Sequence, residues 1–267
     1  MKKGFFQYIG DSFKILFNNR ILLFAGLMEV LLMGAMLIIT FGGAVGGPRQ
    51  GMFSVIFFVV VMGLIASFML AGKINMAKKV YDEDEEEPTE IGDYFEGMKL
   101  FGLKIFGGSL FLMVCILLVF IPLLYLIARI GSLFLGIVLV IGLFFVMIFL
   151  TLWDTILVVD DIDVASAFGD SISFVKGNFW VVLGLTIFTG LITTGDVLDP
   201  GGMIGDGQEA GLGSSLDLSV LYQWIVNTFG RAGWIISGAL LTVLSVIATM
   251  IFVDLYMDRR NRYGSFS

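Results

Sequence analysis

The chain has 267 residues, 58% of them apolar and only 15% charged, with a net charge of −7. Soluble domains average about 45–50% apolar and about 25% charged residues, and a globule of this size has no interior able to hide the excess. A soluble enzyme, a disordered chain and a nucleic-acid binder are therefore excluded, and lipid must serve as part of the solvent. There is no histidine, which removes His-ligated zinc, Ser-His-Asp catalysis and an imidazole proton relay. The single Cys115 cannot form a disulfide within the chain.

A bilayer core needs about 20 consecutive apolar residues in a helix, and six segments qualify. Ile21–Phe41 is apolar apart from Glu29 and reads as a retained helix, not a cleaved signal peptide. Met52–Ala71 carries no charge. The connection after it holds Lys73, Lys78 and Lys79 and the acidic run Asp82–Glu87, which reads as a solvated linker. Ile105–Ala128 includes Pro122, expected to bend that helix. After a very tight turn near Arg129–Ile130 comes Gly131–Trp153, with room to continue past Asp154 to Val159. Gly177–Gly195 is the fifth span. A long irregular connection, Asp196–Arg231, separates it from the sixth, Ala232–Val253. Strands would be shorter and alternate in polarity, so the expected fold is all-α: a polytopic membrane protein of six transmembrane helices forming one domain over residues 1–267.

Lys and Arg set the orientation. Thirteen lie in the N-terminal arm, in the even-numbered connections and in the C-terminal tail. Only Arg49, Arg129 and Arg231 lie on the other side. Both termini are expected in the cytoplasm, and the protein in the plasma membrane.

The segments before spans 1, 3 and 5 look alike. Gly10-Asp11-Ser12 recurs as Gly169-Asp170-Ser171, and an Asn stands eight residues after each Asp, at 19 and 178. A third copy, 94–104, is more divergent. Apolar residues recur at helical spacing in all three, which predicts three amphipathic interfacial helices, each followed by a transmembrane hairpin. Gly177 and Asn178 mark an expected helix stop. The element from Gly169-Asp170-Ser171 through Lys176-Gly177-Asn178-Phe179-Trp180, followed by an apolar span, resembles poorly characterised six-helix integral membrane families of bacteria and archaea. These are similar to the membrane domain associated with glycerophosphodiester phosphodiesterases. The resemblance covers most of the chain and implies architecture without catalytic residues, and no phosphodiesterase domain is present.

Three acidic residues stand out. Glu29 lies about 12 Å into the hydrocarbon by helical rise. No Lys or Arg lies deep in a predicted span to pair with it. It is therefore expected to be protonated, bonded to hydroxyls or facing water, either as a proton or cation site or as a helix-contact residue. Asp154 and Asp254 are expected near the inner ends of spans 4 and 6, with Arg259 and Arg260 screening Asp254. A vestibule shared by all three would favour cations. Small residues four apart (Gly63, Ser67, Ala71; Ser245, Thr249) read as helix-packing positions. No cofactor is expected, and the residues leave a metal undetermined. Beyond the lipid bilayer, a second copy of the chain or a cytoplasmic protein remains open as a partner; nucleic acid does not. No nucleophile–base set points to an enzyme. The function expected is transport or channel-like handling of a small solute, ion or lipid. The alternative is a non-catalytic scaffold or regulatory protein acting through its interfacial helices and acidic linker.

Overall fold

The computed structural model describes residues 3–39, 52–82, 88–131, 133–193 and 231–260, and within them every regular element is helical. In chain order these are α1 (Phe5–Asn18), a 3₁₀ turn (Arg20–Leu22), α2 (Leu23–Ile39), α3 (Met52–Tyr81) and α4 (Ile91–Ile130). There follow α5 (Leu133–Phe149), α6 (Trp153–Asp160), α7 (Val164–Thr193) and α8 (Arg231–Arg260). Five stretches are long and apolar enough to cross a membrane, and a sixth is added if α1 and the start of α2, bent 96° apart, count as one. These are the helices of an integral membrane protein.

The bend after α1 has a local cause. Asn19 leaves the helical region (φ −116°, ψ 68°), and its Nδ2 donates to the Ile15 carbonyl at 3.2 Å. A side-chain amide that bonds the preceding turn offers the backbone an alternative to continuing the helix. The buried face of α1 is Tyr8, Ser12 and Leu16, while Phe6, Phe13 and Phe17 are exposed along another stripe. Asn178 repeats the device inside α7. It is non-helical (φ −132°, ψ 21°) and its Nδ2 donates to Phe174 O at 3.0 Å. The expected stop at Gly177–Asn178 is therefore a kink within one helix. The middle copy departs from both. Gly92-Asp93 occupies the corresponding place, but eight residues after Asp93 stands Phe101, a buried core residue. It has no amide to divert the backbone, and α4 runs on as a single 40-residue helix.

Two further departures concern spans 3 and 4. The bend expected at Pro122 does not interrupt α4, which continues through it to Ile130. The tight turn that follows is closed by Gly131, whose φ of 67° suits glycine and whose N–H donates to Ile127 O at 2.9 Å. Span 4, expected to be continuous, is broken at 150–152 between α5 and α6. The carbonyls released there find hydroxyls: Thr151 Oγ1 donates to Met147 O and Ser171 Oγ to Phe149 O, each at 2.8 Å. Backbone groups in hydrocarbon must be satisfied within the protein, and the serine of the Gly169-Asp170-Ser171 motif supplies one of the bonds.

The core gathers where α1, α6, the later part of α3 and the end of α8 meet, with Ile74, Met76, Ile156, Leu157, Ile251 and Leu255 buried. The α3–α4 contact is the most extensive. It depends on glycine: a Cβ on Gly72 would sit 2.6 Å from the Tyr94 carbonyl, and one on Gly97 would sit 2.9 Å from that of Ala71. Ser67 and Ala71 are buried as the small-residue spacing predicts, but Gly63 is exposed. By contrast, none of the most apolar 18-residue stretch of α4 is buried, and only 11% of that of the α5–α6 span. Leu118, Tyr125, Phe134 and Val140 project outward, an arrangement stable only against lipid or other apolar matter.

Candidate functional site: a polar cavity among apolar helices

Glu29 is not alone. α3 extends past Ala71, where span 2 was expected to end, and its next turn carries Lys73 towards α2. Lys73 Nζ lies 2.7 Å from Glu29 Oε2 and donates to Ser245 Oγ of α8, also at 2.7 Å. Ser245 in turn donates to Glu29 Oε2 at 2.5 Å. Three helices are thus tied by a closed polar triangle. The expectation that Glu29 lacks a basic partner is corrected: Lys73, counted with the cytoplasmic charges, is inside the bundle with its side chain 8% exposed. The missed signal was in the flanks. Ile74, Met76 and Ala77 are apolar and buried, so the span does not stop at the first charge.

The triangle forms one wall of a cavity of about 310 Å³. Asp154 and Thr155, Thr151, Thr189 and Thr249 complete its polar lining, and Leu70, Ile74, Ala248 and Phe252 its apolar part. Asp154 enters because α5 and α6 break just before it. It sits in the first turn of α6, where the helix N-terminus favours negative charge. Its Oδ1 accepts the Thr155 N–H at 2.7 Å and the Thr155 hydroxyl at 3.4 Å. The Thr151, Thr189 and Thr249 hydroxyls donate to the carbonyls of Met147, Leu185 and Ser245, each four residues earlier in the chain.

Asp254 does not join Glu29 and Asp154. It lies two residues past Phe252 and so points about 200° away around the helix. It is buried against Lys3, whose Nζ donates to its two oxygens at 2.9 and 3.1 Å. Lys3 also pairs with Asp11 at 3.0 Å. Burial works against the Lys3 charge, but the bonds and charges of Asp254 and Asp11 outweigh it and hold the ammonium above its ordinary range. The expected screening by Arg259 and Arg260 is likewise corrected. Arg259 is buried and donates to Tyr8 Oη at 2.9 Å, Asn178 Oδ1 at 2.5 Å and Lys3 O at 3.2 Å. Arg260 pairs with Asp160 at 3.3 Å. Arg259 therefore locks α1 and the α7 kink onto the end of α8 and is structural.

Among the described residues no three His, Cys, Asp or Glu side chains are grouped to hold a metal. Cys115 is half-buried and free. Residues 83–87 of the acidic run and 194–230 of the long connection lie outside the described residues. Compared with protein-family models, curated proteins and solved structures, the chain matches none, so its functional reading rests on the cavity.

Proposed function

We propose that the chain is a six-span plasma-membrane protein with both termini in the cytoplasm, and that its cavity holds a small polar solute on a transport or channel-like path. One observation carries this reading: an open pocket lined by two carboxylates, a lysine and several hydroxyls lies among helices whose other faces are apolar. Ionisable groups inside membrane spans are expensive and mark solute or ion pathways. A chain built only to anchor partners has no use for such a chamber. The break between α5 and α6 strengthens the reading, because discontinuous helices in transporters bring polar groups to a binding site. In this arrangement α1, with its exposed Phe6, Phe13 and Phe17, lies along the inner membrane surface. The chemistry is binding and passage, not catalysis.

The test is solute uptake by proteoliposomes carrying the full chain, screened over small cations, anions and neutral polar solutes. Glu29→Gln and Asp154→Asn should each reduce uptake of the transported solute, while the exposed Glu96→Gln should not. Uptake equal to that of protein-free liposomes for every solute, or uptake indifferent to both cavity variants, refutes the proposal.

A further inference from the structure

Resting on that reading of the cavity, we infer the chemical class of its solute: a small organic ammonium ion, its charged head at Asp154 and its apolar body against Leu70, Ile74, Ala248 and Phe252. The argument is a census of charges, donors and acceptors. Glu29 and Lys73 cancel each other at 2.7 Å. Asp154 makes no ion pair among the described residues, and only its Oδ1 accepts hydrogen bonds there. The lining thus holds two carboxylates against the single ammonium of Lys73, a net charge of −1, and Asp154 keeps an oxygen, Oδ2, with no hydrogen bond among the described residues.

Hydrogen bonding points the same way. The Thr151 and Thr249 hydroxyls have committed their protons to the Met147 and Ser245 carbonyls, so towards the cavity they offer lone pairs. Ser245 has committed its proton to Glu29, and Lys73 two of its three protons to Glu29 and Ser245. Glu29 Oε2 takes both of those bonds. The chamber is therefore rich in acceptors and poor in donors. It complements a group with several N–H donors and a positive charge, and leaves a carboxylate or phosphate short of partners.

Size and apolar lining separate an organic cation from an inorganic one. About 310 Å³ is many times the space that a single water needs. A bare alkali ion would leave most of it filled by water against Leu70, Ile74 and Phe252. An ammonium on a short hydrocarbon chain fills both parts.

The experiment is calorimetric titration of the full chain in nanodiscs with n-butylammonium chloride, n-butanol, sodium butyrate and potassium chloride. n-Butylammonium should bind saturably and the other three at least about tenfold more weakly, butanol and butyrate because the charge-assisted bond to Asp154 is lost and potassium because it leaves the apolar lining unfilled. Asp154→Asn should weaken n-butylammonium by a similar factor. Ala248→Phe, which fills the chamber and leaves every charge in place, should abolish binding and carries the test should Asp154→Asn fail to fold. Butanol, butyrate or potassium binding as tightly as n-butylammonium overturns the ammonium assignment and leaves the chamber a solute site. Saturable binding of none of the four also overturns the assignment. The transport proposal falls only when proteoliposome uptake is absent as well.

Discussion

Replacing one member of the Glu29–Lys73 pair should cost far more stability than replacing both. At 2.7 Å and an effective dielectric of about 20, Coulomb's law gives roughly 6 kcal/mol of gross attraction. Desolvating the two ions takes back several kcal/mol each, so the intact pair is worth little against a well-packed apolar substitute. Removing one partner is different, because the other stays buried and uncompensated, at a typical cost of about 3–5 kcal/mol. The two sides are unequal. The Lys73 side chain is 8% exposed and that of Glu29 30% exposed. An orphaned Glu29 is the less buried of the two; an orphaned Lys73 is almost fully buried and keeps the Ser245 hydroxyl, with Asp154 elsewhere in the same lining. Glu29→Leu should therefore fall at the upper end of that range and Lys73→Met at the lower. Glu29→Gln, which keeps an acceptor for Lys73, should cost less than Glu29→Leu. The double variant Glu29→Leu/Lys73→Met should recover most of the loss. Reversible unfolding in mixed micelles followed by circular dichroism measures all four as a double-mutant cycle. Strict additivity of the two single effects, or single variants within about 0.5 kcal/mol of the parent, the range of ordinary surface changes, would refute the pairing argument.

Other consequences can be measured separately. Gly72→Ala should destabilise by about 1–3 kcal/mol through overpacking, since its Cβ would meet the Tyr94 carbonyl at 2.6 Å. Gly107→Ala, with open space around it, should stabilise by up to about 1 kcal/mol through helix propensity; thermal unfolding distinguishes the two signs. Asn178→Ala removes an acceptor from the buried Arg259 and should cost about 1.5–3 kcal/mol, the range for bonds to charged groups. Asn19→Ala, without such a partner, should cost less, and amide exchange in α1 should rise only with the former. The Asp163 carboxylate is held below its usual range by the Ser166 hydroxyl and the Ser166 and Ala165 N–H groups. A depressed folded value means its capping contribution is complete above the ordinary carboxylate range and is lost as pH falls through the lowered value. Exchange of the first α7 amides should accelerate only in acid, and Asp163→Ala should remove that dependence. Finally, in the proposed orientation every lysine except Lys73, which lies inside the bundle, faces the cytoplasm. An impermeant amine reagent should label none from outside intact cells, and labelling of Lys78 would overturn the orientation.

The apolar spans were legible because composition alone specifies a helix in lipid, and the repeat was legible because Asn19 and Asn178 do the same local chemistry with the same spacing. What sequence reasoning misplaced depended on tertiary partners. Pro122 is a strong local breaker, yet α4 continues through it. Residues 150–152 contain neither Pro nor Gly, yet the chain breaks there, because the hydroxyls of Thr151 and Ser171 satisfy the released carbonyls. Ser171 is 22 residues away from Phe149, beyond the reach of any local pattern. Lys73 was read as a surface charge because its partner lies on α2, 44 residues earlier. Asp154 and Asp254 looked equivalent, each acidic near a span end. Rotation around the helix and the position of Lys3 separate them, and neither is visible in spacing.

The unbroken middle copy has a mechanical consequence. At about 1.5 Å per residue, the 40 residues of α4 make a stiff beam about 60 Å long, roughly twice the thickness of the hydrocarbon layer. Its neighbours in the repeat carry an asparagine joint, at Asn19 and at Asn178; this beam has none. If a thinner bilayer tips α4 by about 10°, within the ordinary range of such tilts, the Ile91 end swings sideways by about 5 Å. Asp93 and Lys104, which clamp that end to Lys79 and Asp161, must follow or let go. Under such a tilt the beam would act as a lever, with the two ion pairs as its latch.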